Sequence, residues 1–389
     1  MERTQITTPA NPPLVLLAAT LVLLAWTWLF LHAESQLGVA ALTAVAVAMV
    51  AASRRLGTAR ALEASAAARP ALARVLAVAG VLALIAAFHD SHFVLLMLCA
   101  VLLFCTACLG LTVQFGYSGV ANFAGAAFFG IGSYATAVMA THTAVPHLLV
   151  LLLSGLIAAA FGSLLILPVL RTRGHYAALV TIAFGILFKT FIEVNDVLGG
   201  PQGLQVPGMK LFGWALNDGI RLPGVEMSFY VSYAVLSLLL FGGVYALVSA
   251  LERSWIGLSM DVVRTDETAA ATFGLHIARW KVVAFTMGNF FAGLAGGLYG
   301  MVSGFVAPNN FTFADSLLML SIVILGGLGN IAGLIPAALI VLVLPEKLQF
   351  IQEYRFLLFA ALVIAILLFR PQGLLPRKTR IFFRPGSRT

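Results

Sequence analysis

Charge is what this sequence has least of. Only 10% of its 389 residues are Asp, Glu, Lys or Arg, against 61% hydrophobic, and the mean hydropathy is +1.01. No water-soluble fold hides that much apolar surface. The long apolar runs hold almost no ionisable side chains: Lys189, Glu193 and Asp315 lie near run ends. A proton- or voltage-driven machine keeps such groups at membrane depth, so an autonomous ion-coupled pump does not fit. No glycine-rich phosphate loop ending in Lys and Ser or Thr is present, so the chain does not hold ATP by that device. Its three cysteines, Cys99, Cys105 and Cys108, share one apolar run without histidine or carboxylate company, which excludes a disulfide framework and a zinc site. His89, Asp90 and His92 cluster before the fourth run, but one carboxylate is a poor complement for a metal, and no chemistry is assigned there. His175, beside Arg171 and Arg173, reads as an interfacial residue.

What is present is a series of apolar runs near the roughly 20 residues that a helix needs to cross about 30 Å of hydrocarbon. They fall near 14–31, 37–52, 73–88, 93–113, 120–140, 148–170, 176–194, 228–250, 280–303 and 355–369, with a glycine-broken apolar region at 316–344 that is two short spans or a re-entrant pair. The first run is long enough to span and reads as a retained helix rather than a cleaved leader. The expected fold is all-α, a polytopic integral membrane bundle of about 10–12 transmembrane helices with glycine-broken or re-entrant segments.

The formal net charge of +8 sits in segments flanking these runs, which suits membrane topology better than nucleic acid. Arg54, Arg55, Arg60, Arg69 and Arg74 crowd one loop; Arg171 and Arg173 mark a second, and Arg253, Arg264, Arg279 and Lys281 a third. Arg370, Arg377, Lys378, Arg380, Arg384 and Arg388 crowd the tail. The positive-inside rule places all four in the cytoplasm, and the segment from Asn195 to Met227 outside. The sides alternate consistently if 316–344 crosses twice, with both termini cytoplasmic. The first spans, within 1–92, read as an addition to a core at 93–376, followed by a basic tail at 377–389.

The inner loop at 253–281 predicts one short surface helix. Thr265 serves as its N-cap, Asp266 and Glu267 put negative charge in the first turn, Ala269 and Ala270 favour helix, and Gly274 stops it after about two turns. Phe273 offers an anchor for a partner's groove. The order Glu267, Ala269, Ala270, Gly274 resembles the coupling loop of ABC importer permeases, which docks on the ATP-hydrolysing subunit.

Further stretches, in order, are similar to the same group: GYSGVANFAGAAFFGIGSY from Gly116, RGHYAALVTIAF from Arg173, GGPQGL from Gly199, FAGLAGGLY from Phe291, VILGGLG from Val323 and FRPQGL from Phe369. Over residues 93–376 the chain resembles the LivM-type permeases of branched-chain amino acid ABC importers. The resemblance implies a non-catalytic permease subunit in a bacterial inner membrane, with no cofactor of its own. It also implies ATP and Mg on two partner ATP-binding subunits, a homologous LivH-type permease, and a periplasmic substrate-binding protein.

Glycine-rich breaks free backbone groups that protein or a polar cavity must satisfy, and they often mark a translocation site. The candidates are 116–132 and 326–333, with Gly116, Gly119, Gly326, Gly327 and Gly329 as structural breaks, unless these glycines serve only close helix packing. Ser118, Asn122, Phe123, Phe128, Thr181 and Phe184 are the candidate pathway residues; Phe129 faces the same choice between path and core. The sequence departs from the family at Val120 and Gly125, where polar residues are usual, and at Gly185-Ile186-Leu187, where Gly-Glu-Ile is usual. These losses leave room for a more apolar or aromatic carboxylate, a short amide or urea. A passive facilitator for a small neutral solute is the alternative reading. A membrane enzyme lacks support, since no carboxylate pair, metal cluster or nucleophile with a base recurs.

Overall fold

The computed structural model describes residues 11–33, 35–55, 57–171, 176–211, 213–218, 221–222, 225–348, 354, 357, 360–361, 364, 368 and 372–377. Arg173, His175, Arg370 and the tail from Lys378 lie outside the described residues, as does most of the run expected at 355–369. The chain forms two compact units, one of residues 1–96, 219–235 and 344–353, the other of 97–218, 236–343 and 354–389.

In the first unit, α1 (Pro12–His32), α2 (Gln36–Arg55), α3 (Thr58–Ala68) and α4 (Pro70–Ala87) follow in order. Proline stands in the first turn of both α1 and α4, where its missing N–H costs nothing. The arginine-rich loop expected between the second and third runs holds a helix instead. Its alanine-rich stretch favours that conformation, and α3 buries Ala64 and Ser65, the Ser65 hydroxyl donating to the Ala61 carbonyl at 2.7 Å. The Trp26 indole donates to the Leu42 carbonyl (3.3 Å), joining α1 to α2. Asp90 lies 3.1 Å from the His89 ring, while His92 meets Phe229 and Tyr230 edge-on.

The second unit carries α5 (His92–Leu111) from Met97 onward, a π-helical turn at Thr112–Tyr117, α6 (Gly125–His142), α7 (His147–Arg171) and α8 (Tyr176–Val194). After α9 (Tyr230–Arg253) come α10 (Trp255–Thr265), α11 (Glu267–Thr272), α12 (Ile277–Ser303) and α13 (Phe313–Gly326). Helices α6, α7 and α12 form its centre, and glycine is why they can. A Cβ on Gly132 would lie 2.6 Å from the Gly293 Cα, and one on Gly296 would strike the Phe129 carbonyl. Backbones therefore touch directly, as small residues allow between membrane helices. Leu204–Gln205 pairs antiparallel with Phe305–Val306 at one end of this unit.

Eight of the described helical stretches are long and apolar enough to cross a membrane: α1, α4, α5 with its π turn, α7, α8, α9, α12 and Pro308–Gly326. The protein is a polytopic all-α membrane bundle. The run expected at 120–140 begins as irregular chain, and helix starts only at Gly125. The region at 316–343 is a helical hairpin: α13 ends at Gly327 (φ +107°), and the chain returns through α14 (Leu334–Ala338) and a π turn at Leu339–Val343; α15 (Leu344–Lys347) follows and belongs to the first unit. The three cysteines are free and buried. Cys105 and Cys108 seat α5 against the hairpin, their thiols directed at the carbonyls of Leu334 and Met319.

Candidate translocation and coupling site

Two clusters in the second unit hold the residues singled out above. The first surrounds the break before α6. Asn122 sits in the irregular stretch, 2% exposed, and its Oδ1 accepts from the Ala124 N–H at 2.9 Å, an Asx turn that competes with helix and postpones α6. Gly119 precedes it at φ +73°, a conformation open to glycine without strain. The Phe123 N–H donates to the Thr181 hydroxyl (3.2 Å), which donates in turn to the Ala178 carbonyl (2.8 Å). Phe128 stacks on Phe184 with centroids 5.2 Å apart and meets Phe285 edge-on at 5.9 Å. Asn122, Phe123, Phe128, Thr181 and Phe184 thus form one neighbourhood. Ser118 lies at its edge, its hydroxyl spent on the Gln114 carbonyl (2.7 Å). Phe129 turns away into a separate aromatic group with Phe104, Tyr299 and Phe311.

Two residues central to this neighbourhood escaped sequence reasoning. Gln114, in the π turn, donates to the Phe285 carbonyl and to Asn289 Oδ1, both at 2.9 Å. Asn122 donates to Gln114 Oε1 (2.9 Å) and to Asn289 Oδ1 (3.1 Å). The three carboxamides are almost fully buried. A lone amide within an apolar run was the available signal, since a buried polar group implies a partner.

The second cluster is the inner loop. One expectation is corrected: Thr265 is not the N-cap. It is the last residue of α10, and its hydroxyl donates to the Asp261 carbonyl (2.8 Å). Asp266 caps α11 instead, its Oδ1 accepting from the N–H groups of Thr268 (2.8 Å) and Ala269 (3.0 Å), since a carboxylate one residue later reaches both donors. The predicted short helix is α11, and a second helix not expected from the sequence, α10, precedes it, with Asp266 as the joint. Gly274 takes φ +77° and ends the turn, while the Leu275 N–H reaches back to the Ala270 carbonyl. Ala270 is buried, Ala269 half-buried, and Phe273 is 80% exposed. Glu267 accepts from Lys281 Nζ at 2.6 Å, fastening α11 to the second turn of α12. Trp255 packs edge-on against Trp280, fastening α10 to the same helix.

The glycines of the two breaks meet beside this loop. A Cβ on Gly116 would lie 2.7 Å from the Gly329 nitrogen, and one on Gly326 would lie 2.8 Å from the Gly333 carbonyl. Arg264 donates to the Gly116 carbonyl, and its stem lies against Gly119. Arg377 grips Asp261 with two bonds of 2.6 and 2.8 Å, approaches Glu252 at 3.8 Å and stacks over Tyr117 at 4.6 Å. Burial works against the Arg377 charge, but the bonds and charge of Asp261, with Tyr117 and Glu252, outweigh it and hold the guanidinium above its usual pKa. The Leu375 carbonyl accepts from Asn330 Nδ2 (3.0 Å), so the segment after the last run is tied to both the loop and the break.

Among the described residues no group of three or more His, Cys, Asp or Glu could hold a metal. The isolated charges at span ends are satisfied locally: Lys189 pairs with Glu193 at 3.2 Å, and Asp315 completes a capping box with Thr312. The described residues of the second unit thus form a helical bundle with a broken helix at its centre.

The chain belongs to the branched-chain amino acid transport system permease component family, whose profile matches residues 93–367. It is 36% identical over 282 residues to the high-affinity branched-chain amino acid transport system permease protein LivM of Salmonella typhimurium, a stretch that is 69% of this chain and 66% of that relative. The LivM of Escherichia coli K12 gives the same figures. The high-affinity permease protein LivH of Salmonella typhimurium is 25% identical over 284 residues, 69% of this chain and 90% of the relative. The matched stretch thus spans slightly less than two thirds of the LivM relatives' length. No solved structure matches.

Proposed function

We propose that this chain is the permease subunit of an ATP-driven importer in a bacterial inner membrane, with both termini cytoplasmic, and that it carries a branched-chain amino acid or a related small solute. The observation that carries the reading is α11: a short capped helix that presents an almost bare phenylalanine while being bolted through Lys281 to the central helix α12. An exposed Phe at the tip of such a helix suits a groove on a partner, and an ion pair to a long helix suits force transmission. ATP and Mg act on two separate ATP-binding subunits. Their closure moves α10 and α11, and differential affinity for the two states supplies the free energy. A LivH-type permease supplies the other half of the path, and a periplasmic protein delivers the solute.

The largely apolar surroundings of Phe123, Phe128 and Phe184 favour a solute with an aliphatic side chain. Affinity capture of the full chain tests the partner. Retention of the ATP-binding subunits is expected, with loss of about tenfold or more on Phe273→Glu, as for an interface anchor placed in a groove. Unchanged capture by the variant, or no ATPase retained by the natural chain, contradicts the reading.

A further inference from the structure

The three buried carboxamides are an unusual arrangement for an apolar bundle. Gln114 belongs to the π turn at the end of α5, Asn122 to the irregular stretch before α6, and Asn289 to the middle of α12. Four hydrogen bonds of 2.9 to 3.1 Å join these otherwise separate pieces of chain. The cluster is not fully satisfied: Asn289 Nδ2 has no hydrogen-bond partner among the described residues, although the residue is only 1% exposed. A buried donor left unpaired is costly, and a network that served rigidity alone would be expected to pair it. A two-state element tolerates it, because one arrangement need not satisfy every group. Local π-helix is a frequent mark of functional positions as well.

The cytoplasmic helices hold this cluster from both sides. Arg264, in the last turn of α10, bonds the Gly116 carbonyl two residues beyond Gln114. Glu267 of α11 bonds Lys281, which stands eight residues, or about 12 Å, along α12 from Asn289. Displacement of α10 and α11 therefore pulls the π turn and α12 on separate handles, and the bonds that cross between those handles are those of Gln114 and Asn289. Asn122 follows them and carries with it Phe123, whose backbone is tied to Thr181.

We propose that Gln114, Asn122 and Asn289 form the latch that closes the translocation path in the resting protein and opens when the cytoplasmic helices move. The latch rests on the permease reading given above. These are positioning residues: they hold Phe123 and the start of α6 in the closed arrangement.

The test uses the complete complex in proteoliposomes loaded with radiolabelled leucine and no nucleotide. Gln114→Leu and Asn289→Leu remove the bonds with apolar groups of similar size. Each is expected to raise passive efflux by about tenfold over the natural protein, the shift that one or two lost hydrogen bonds impose on a two-state equilibrium. Variants that assemble and stay tight overturn the latch, whether ATP-driven uptake is kept or lost. Asn122→Ala makes the same prediction should the leucine variants fail to assemble. Phe123→Cys, with the latch intact, gives a second reading: maleimide labelling, located by mass spectrometry, increases several-fold when a non-hydrolysable ATP analogue is bound, and equal labelling overturns the proposal. A natural complex that shows no ATP-dependent uptake would instead overturn the permease reading itself, which separates the two failures.

Discussion

Asp266 does two jobs with one side chain. It ends α10 in an extended conformation and caps α11 through two backbone N–H groups, so a six-residue helix that is too short to be stable alone is held at its first turn. Asp266→Ala removes both bonds and is expected to weaken the cap by about 1 kcal/mol, while Asp266→Asn keeps most of it. Amide exchange at Thr268 and Ala269 reads this directly, faster by about fivefold in the alanine variant. The central glycines make an equally local prediction. Gly132→Ala forces a methyl against the Gly293 backbone and is expected to cost about 1 to 3 kcal/mol, whereas Gly242→Ala, with open space around it, is neutral or slightly stabilising. The midpoints of thermal unfolding in detergent distinguish the two sites.

At the scale of elements, Arg377 joins the segment that follows the last apolar run to α10 and to the π turn. Its paired bonds to Asp261 are only partly exposed, so single loss of either partner leaves the other poorly solvated. Arg377→Gln and Asp261→Asn are each expected to destabilise by about 1 to 3 kcal/mol, with the double variant well short of the sum. A double-mutant cycle on thermal unfolding measures the shortfall. This contact was not legible in the sequence, since the partners stand 116 residues apart and Arg377 belongs to a basic tail that topology alone explains. The long helices α1, α7, α8, α9 and α12 were legible, because uninterrupted apolar length is a local property. Helix α3 was hidden by the arginines that surround it, and the delayed start of α6 by apolar residues that continue on both sides of Asn122. Asp266 and Thr265 are adjacent and both favour N-caps, so composition could not choose between them; the reach of the carboxylate to two donors did. Gln114 and Asn289 were missed for the same reason as Arg377, as their meaning arises only when α5 and α12 are side by side.

At the scale of the whole molecule, the distribution of basic residues predicts orientation. Phe273 is expected on the cytoplasmic side and Asp218 on the outer side. In a chain with Cys99, Cys105 and Cys108 replaced, Asp218→Cys should react with an impermeant maleimide in intact cells, whereas Phe273→Cys should react only in inverted vesicles. The reverse pattern would place α10 and α11 outside, where no ATP-hydrolysing partner could reach them.

In the proposed function this chain encloses half of a path and is moved by force that a cytoplasmic partner applies to α11. The most direct test is leucine uptake into inside-oriented proteoliposomes containing the full complex, with the binding protein and ATP supplied on opposite faces. Uptake that depends on ATP, and that falls by about tenfold or more when Lys281→Glu breaks the tie between α11 and α12, is the predicted result. Uptake that proceeds unchanged without ATP, or that is indifferent to Lys281→Glu, would contradict it.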